Sequence, residues 1–244
     1  MKQKFVYDLP MRVFHWLFAL LFVAAFAIGK TVDDDSLVFS YHMLGGIVLC
    51  FLVVLRVLWG IFGTKYSRFS GFALQPNELA LYLKGVVAGE KRKWLGHNPA
   101  SSWAAIAMMA FALGLGITGY LMTTGQCSED LEEVHELLAN GFFIIVLFHL
   151  AGVAIHTLRH KDAIWKSMFT GWKSDIPEES TPVRSHSVIG ILFLLTTLWF
   201  STYLAQNFDS STASLSIFGS KFHLGEAEEN ENKSKRGENV RENT

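Results

Sequence analysis

Apolar side chains gather into five long runs along the chain, at about residues 12–29, 41–63, 103–124, 134–157 and 187–205. Each reaches or approaches the roughly 20 residues that carry a helix across ~30 Å of hydrocarbon. Within the first four, the only charged side chain away from the ends is Arg56. The connection 64–102 is too long for a simple turn, and Pro76 to Gly89 within it predicts a short helix lying on the membrane surface. Asn98-Pro99 predicts the start of the third long helix. From about 207 onward Ser, Glu, Asn and Lys dominate with few aromatics, which predicts a disordered tail. The expected protein is an all-α integral membrane protein. A four-helix transmembrane bundle occupies 1–175, a linker and fifth transmembrane helix 176–206, and a polar tail 207–244.

Composition agrees with the runs. Half of the 244 residues are hydrophobic, with 20 Phe and 7 Trp, well above the balance of a soluble domain. The net charge of −1 conceals a segregation. Lys2, Lys4 and Arg12 lie at the start; Lys65, Arg68, Lys84, Lys91, Arg92 and Lys93 lie in the 64–102 connection; Arg159, Lys161, Lys166, Lys173 and Arg184 lie in the 158–186 connection. The 30–40 loop sets only Lys30 against Asp33, Asp34 and Asp35, and the 125–133 loop carries Glu129, Asp130, Glu132 and Glu133 with no base. Membrane insertion leaves basic loops inside, so the N-terminus is expected in the cytoplasm and, after five crossings, the tail outside. Reading the first run as a cleaved signal peptide would ignore His15, and the later loops already obey the charge rule with that helix retained. Cys50 and Cys127 form neither a haem-attachment motif nor a zinc spacing.

Nine histidines stand at 15, 42, 97, 135, 149, 156, 160, 186 and 223. Four or five fall inside apolar runs, where ionisable groups are costly and mark function. Fourteen residues advance an α-helix by about 1,400°, within ~40° of four turns, and raise it ~21 Å. His135 and His149 therefore share one face at two depths. His42, at the start of the second run, matches His135, while His15, fourteen residues below Gly29, matches His149. Two facing pairs result, one near each membrane surface.

Two neutral imidazoles on opposite sides of one ligand, twice, suit two haem b groups, whose iron takes an axial ligand from each face and whose macrocycle partitions into a helix bundle. Zinc or iron sites gather three or four ligands at one depth, and a proton-coupled transporter would use buried carboxylates, which these runs lack; a histidine-lined metal permease would show metal-dependent flux and no bound haem. Arg12, one turn before His15, and Arg56, fourteen residues after His42, lie at the inner depth where haem propionates need cations. Lys30 is placed for the outer haem, and Gly45 and Gly46 leave room beside it. Gly114, Gly116 and Gly119 permit close approach of a helix or a flat ligand. His156, seven residues beyond His149 on the same face, is a rival inner ligand. His149 is preferred, because His156 sits beside Arg159, His160 and Lys161 at an interfacial end, where a propionate, a quinone or water would meet it.

These residues lead to a resemblance covering roughly 5–175. "PMRVFHW" (Pro10 to Trp16), "YHMLGG" (Tyr41 to Gly46), "RVLWGIFGTKYSRF" (Arg56 to Phe69), "GHNP" (Gly96 to Pro99) and "MFTGWK" (Met168 to Lys173) are similar to the bacterial di-haem membrane cytochromes b of the b-561 and nickel-hydrogenase b-subunit group. The resemblance implies axial ligands on the first, second and fourth helices, carried onto His15, His42, His135 and His149. It also implies a bacterial plasma membrane, and electron transfer between the quinone pool and a c-type cytochrome or a hydrogenase- or dehydrogenase-type subunit. The fifth run and acidic tail depart from the family pattern. Two imidazoles per iron leave no open position for substrate chemistry, so the haems are expected to relay electrons. The alternative is a stand-alone quinone oxidoreductase acting on a small substrate such as superoxide, which the acidic 125–133 loop would repel if it is anionic. No nucleic-acid partner is expected.

Overall fold

A computed structural model describes residues 3–90, 94, 96–124, 128–174, 181–217 and 219–224. Helix α1 (Leu9–Thr31) opens at Asp8, whose side chain accepts from the Met11 backbone N–H, while Pro10, lacking an N–H, fits the first turn. Helix α2 (Phe39–Phe62) runs back. The long connection contains α3 (Pro76–Ala88), closed by Gly89 at φ 86°, a left-handed conformation that favours glycine. Asn98 caps α4 (Pro99–Thr123) by accepting from the Ser101 N–H. Ser128 caps α5 (Glu129–His160), which begins with Glu129, Asp130 and Glu132 and ends with Arg159 and His160, the order that the helix dipole favours. The acids expected in a loop thus form the first turn of a longer helix. Short α6 (Ser167–Thr170) and strand β2 (Trp172–Ser174) precede α7 (Ser187–Gln206). Strand β1 (Gln3–Phe5) pairs antiparallel with β2, Phe5 opposite Trp172, so the chain start is tied to the segment after α5.

Helices α1, α2, α4, α5 and α7 are each long and apolar enough to cross a membrane. Large apolar side chains such as Leu20, Val54, Leu137, Phe148 and Trp199 point outward, as a surface solvated by lipid requires. One end of the bundle carries the basic connections and the other the acidic ones; they are called the basic and acidic ends below. At mid-height Phe18, Phe22, Ala25, Leu49, Leu52, Val53, Met109, Ala112 and Phe142 meet from four helices in one dry layer. Gly116 lies so close to the Cys50 sulfur, and Gly114 to Leu138, that both glycines serve helix packing. Helix α7 lies along α1 and α2, with Gly190 packed on Leu9 and Phe200 stacked on Phe51 at 4.4 Å.

The expected disordered tail is corrected by this structure for its first part. Strands β3 (Phe208–Asp209), β4 (Ser214–Ile217) and β5 (Ser220–His223) form an antiparallel meander at the acidic end. Leu215 and Leu224 are buried with Leu204 and Val48, flanked by Ile217 and Phe222, and the Ser40 hydroxyl donates to the Leu224 carbonyl at 3.0 Å. A two-residue alternation this short is diluted by the surrounding polar residues, and its apolar face is buried only because α2 and α7 supply a wall. Residues 225–244 and Cys127 lie outside the described residues.

Candidate functional site

Helix α5 sets the frame. His135 and His149 project from one face, with Phe142 midway between them, 1% exposed and packed at 4.2 Å on Phe22. At the acidic end the His42 and His135 ring centroids are 6.1 Å apart. At the basic end those of His15 and His149 are 6.5 Å apart. The structure therefore brings together the two pairs expected from helical depth. His156 instead stacks on His160 at 4.3 Å.

The acidic-end rings have defined tautomers. His42 Nδ1 lies 2.7 Å from the Ala25 carbonyl oxygen, which only accepts, so Nδ1 carries the proton and Nε2 keeps its lone pair. The Thr118 hydroxyl donates to the Gly114 carbonyl at 3.0 Å and stands 2.6 Å from His135 Nδ1, whose N–H donates to it, leaving Nε2 open there too. Gly29 admits the His42 ring, since a Cβ there would stand 2.9 Å from it. This role was not apparent from the sequence, where Gly29 only ends an apolar run. Gly46 faces open space. Lys30, expected near a haem, is instead paired with Glu136 at 2.6 Å on the surface.

The basic-end rings are placed differently. Among the described residues neither His15 nor His149 has a ring-nitrogen hydrogen bond; His15 is flanked edge-on by Trp16 at 5.3 Å. Trp16 Nε1 donates to the Met168 carbonyl at 3.0 Å. Arg56 is 2% exposed, its guanidinium lies 4.7 Å from the Phe69 ring centre, and both terminal nitrogens are buried without a partner. Arg12 donates through Nη1 to the Phe169 carbonyl at 2.5 Å and buries an unpartnered Nε. His97 sits between Tyr7 and Phe72, where burial and then the charges of Arg56 and Lys173 push its pKa down to about 3. The sequence marked it only as part of the Gly96–Pro99 motif.

A second polar cluster lies further toward the basic surface. His156 Nε2 and Asp162 Oδ1 are 3.4 Å apart, and both, with Thr157 Oγ1 and Arg159 Nη1, are buried without a hydrogen bond. Buried polar atoms are normally satisfied, so Thr157 and Arg159, near the His156–Asp162 pair in sequence, are open to a polar ligand or water. Lys173 donates to the Trp94 carbonyl at 2.6 Å, and burial pushes its pKa down to about 8.

Among the described residues no three His, Cys, Asp or Glu side chains gather as a metal site; the histidines offer pairs. A metal–imidazole bond of ~2.0 Å and about 1.1 Å from nitrogen to ring centre put two axial rings roughly 6.2 Å apart. Separations of 6.1 and 6.5 Å fit an iron between each pair, and the orphaned Arg56 nitrogens fit an anionic substituent beside one of them.

Residues 6–171 match the family described as prokaryotic cytochrome b561. The chain is 23% identical to the probable Ni/Fe-hydrogenase 1 B-type cytochrome subunit of Escherichia coli, over 70% of this chain and 91% of that protein. It is 25% identical to the probable Ni/Fe-hydrogenase B-type cytochrome subunit of Bradyrhizobium diazoefficiens, over 68% and 84%. With the subunit of the same name from Rhodobacter capsulatus the identity is 29%, over 70% and 81%. No solved structure matches.

Proposed function

The chain belongs to the prokaryotic cytochrome b561 family, membrane b-type cytochromes of electron transport, and from that premise we propose that it holds two haems b between paired histidines. His42 and His135 hold one at the acidic end; His15 and His149 hold the other at the basic end. The observation that carries this reading is the pair of ring separations, 6.1 and 6.5 Å, each suited to one iron. Bound there, haem b supplies a one-electron couple whose two axial positions are filled, which suits electron transfer rather than substrate binding at iron. His42 and His135 present Nε2 because the Ala25 carbonyl and Thr118 occupy Nδ1. Arg56 and Arg12 provide buried cationic nitrogens for propionates at the basic end. Phe142 and its neighbours exclude water between the two sites.

The two sites give electrons a path along the bundle between a membrane quinone and a redox partner. The curated relatives are hydrogenase cytochrome subunits, which supports a hydrogenase-type partner over a c-type cytochrome. The polar cluster supports quinone access at the basic end, where Arg159 and Thr157 have unsatisfied donors for quinone oxygens and His156 with Asp162 can pass protons. The segregated charges support a bacterial inner membrane with the N-terminus in the cytoplasm.

The test is a haem-to-protein ratio with a reduced-minus-oxidised spectrum on the purified protein. Two b-type haems per chain, reducible by a quinol, are expected. A ratio near one, or no b-type absorbance after haem-replete expression, overturns the reading.

A further inference from the structure

Asp8 is 0% exposed, and its carboxylate is occupied on every side. It accepts from the Met11 backbone N–H at 3.0 Å, from Trp59 Nε1 at 3.2 Å to both oxygens, from Thr64 Oγ1 at 2.5 Å and from Ser67 Oγ at 2.9 Å. These donors come from α1, the end of α2 and the turn that follows it. Arg56 lies one helical turn before Trp59, and its terminal nitrogens nevertheless make no bond to Asp8 or to any other described residue.

A buried guanidinium needs a counter-charge, because desolvation of a lone cation is expensive. If that counter-charge formed a direct bidentate ion pair, however, it would take two of the guanidinium's five N–H donors and weaken its hold on a second anion. Asp8 meets the first need without creating the second problem. Its lone pairs are filled by neutral donors, Trp59 among them one turn from Arg56, so its charge acts on Arg56 through space while Nη1 and Nη2 stay open.

Resting on the di-haem reading above, we propose that Asp8 is the built-in counter-charge of the basic-end haem site. Its hydrogen bonds hold it off Arg56, so the arginine stays available to a haem propionate, and its negative charge keeps the reduction potential of that haem down. The sign follows from electrostatics: a nearby anion favours the more positive, oxidised iron. Neutral donors partly offset the field of the carboxylate. Removing a donor should therefore act opposite to removing the charge.

The experiment is a redox titration, followed spectroscopically, of the full-length protein in detergent. His15→Ala first identifies the basic-end wave as the one it abolishes. Asp8→Asn, which preserves size and helix-capping capacity, is expected to raise that wave alone, by at least a tenfold change in the oxidised-to-reduced ratio at fixed ambient potential, about 59 mV for one electron. Thr64→Val, isosteric and charge-preserving, is expected to move the same wave downward. No selective rise in Asp8→Asn, an equal shift of both waves, or an upward shift in Thr64→Val overturns the inference while leaving the di-haem reading intact. If Asp8→Asn yields no folded protein, the direction of the Thr64→Val shift decides. Fewer than two waves in the unmodified protein overturns both.

Discussion

The two histidine pairs use the same fourteen-residue spacing on α5, yet they are held by different means. At the acidic end each ring is tethered by its Nδ1, to the Ala25 carbonyl or to Thr118, and Gly29 makes space for the His42 ring. At the basic end the rings rest in packing, and the polar investment goes into Arg56, Arg12, His97 and Asp8 around them. One pair of rings is held by hydrogen bonds on its Nδ1 atoms, and the other is surrounded by buried charges. Hydrogen bonds on the far ring nitrogen set tautomer and basicity, whereas buried charges act on whatever anion and potential the site carries. A common helix face thus presents two histidine pairs in different surroundings.

The comparison can be broken most decisively at the ligands. His42→Ala and His15→Ala should each reduce two haems per chain to one, and the absorbance lost should differ between the two variants; loss of the same component in both would show that the pairs are not independent sites. A smaller effect is expected from Thr118→Val, which removes the His135 tether and keeps the shape. It should weaken haem retention at the acidic end by about 10- to 100-fold, measured by haem loss to an apo-globin acceptor, while the basic-end haem stays bound.

His97 sharpens the other side of the comparison. Its pKa in the folded protein is about 3, against an ordinary value of 6.5, so below pH 6.5 the unfolded chain takes a proton that the folded chain refuses. The contribution of His97 to stability is complete above pH 6.5 and is lost progressively as pH drops toward 3. Comparing thermal unfolding at pH 7.5 and pH 5, the loss on acidification should be smaller in His97→Gln than in the unmodified protein. The smallest effect belongs to Lys30→Met. The Lys30–Glu136 pair is exposed and screened, and neither the haem content nor the melting temperature should change measurably.

Much of this arrangement was legible along the chain because it depends on helical periodicity. Five apolar runs, the Asn98-Pro99 start of α4, the short helix from Pro76 and the depth match of His15, His42, His135 and His149 all follow from patterns local to single helices. Short-range signals that are diluted by polar neighbours were not legible. The meander at 208–223 reads as a solvated tail until Val48 and Leu204 give Leu215 and Leu224 something to pack against. The acids after Ser128 look like a loop until the cap places them in the first turn of α5.

By itself, then, the sequence determined the membrane class, the number of long helices and the depth of each candidate ligand, because these are properties of single helices in a slab of hydrocarbon. Only the tertiary structure decided which neighbours His42 and His135 use for their second nitrogens, that Lys30 turns to Glu136, and that Asp8 bonds Trp59, one turn from Arg56, while the Arg56 terminal nitrogens stay unpartnered. Those outcomes depend on contacts between residues far apart in the chain, which no local pattern of the sequence encodes.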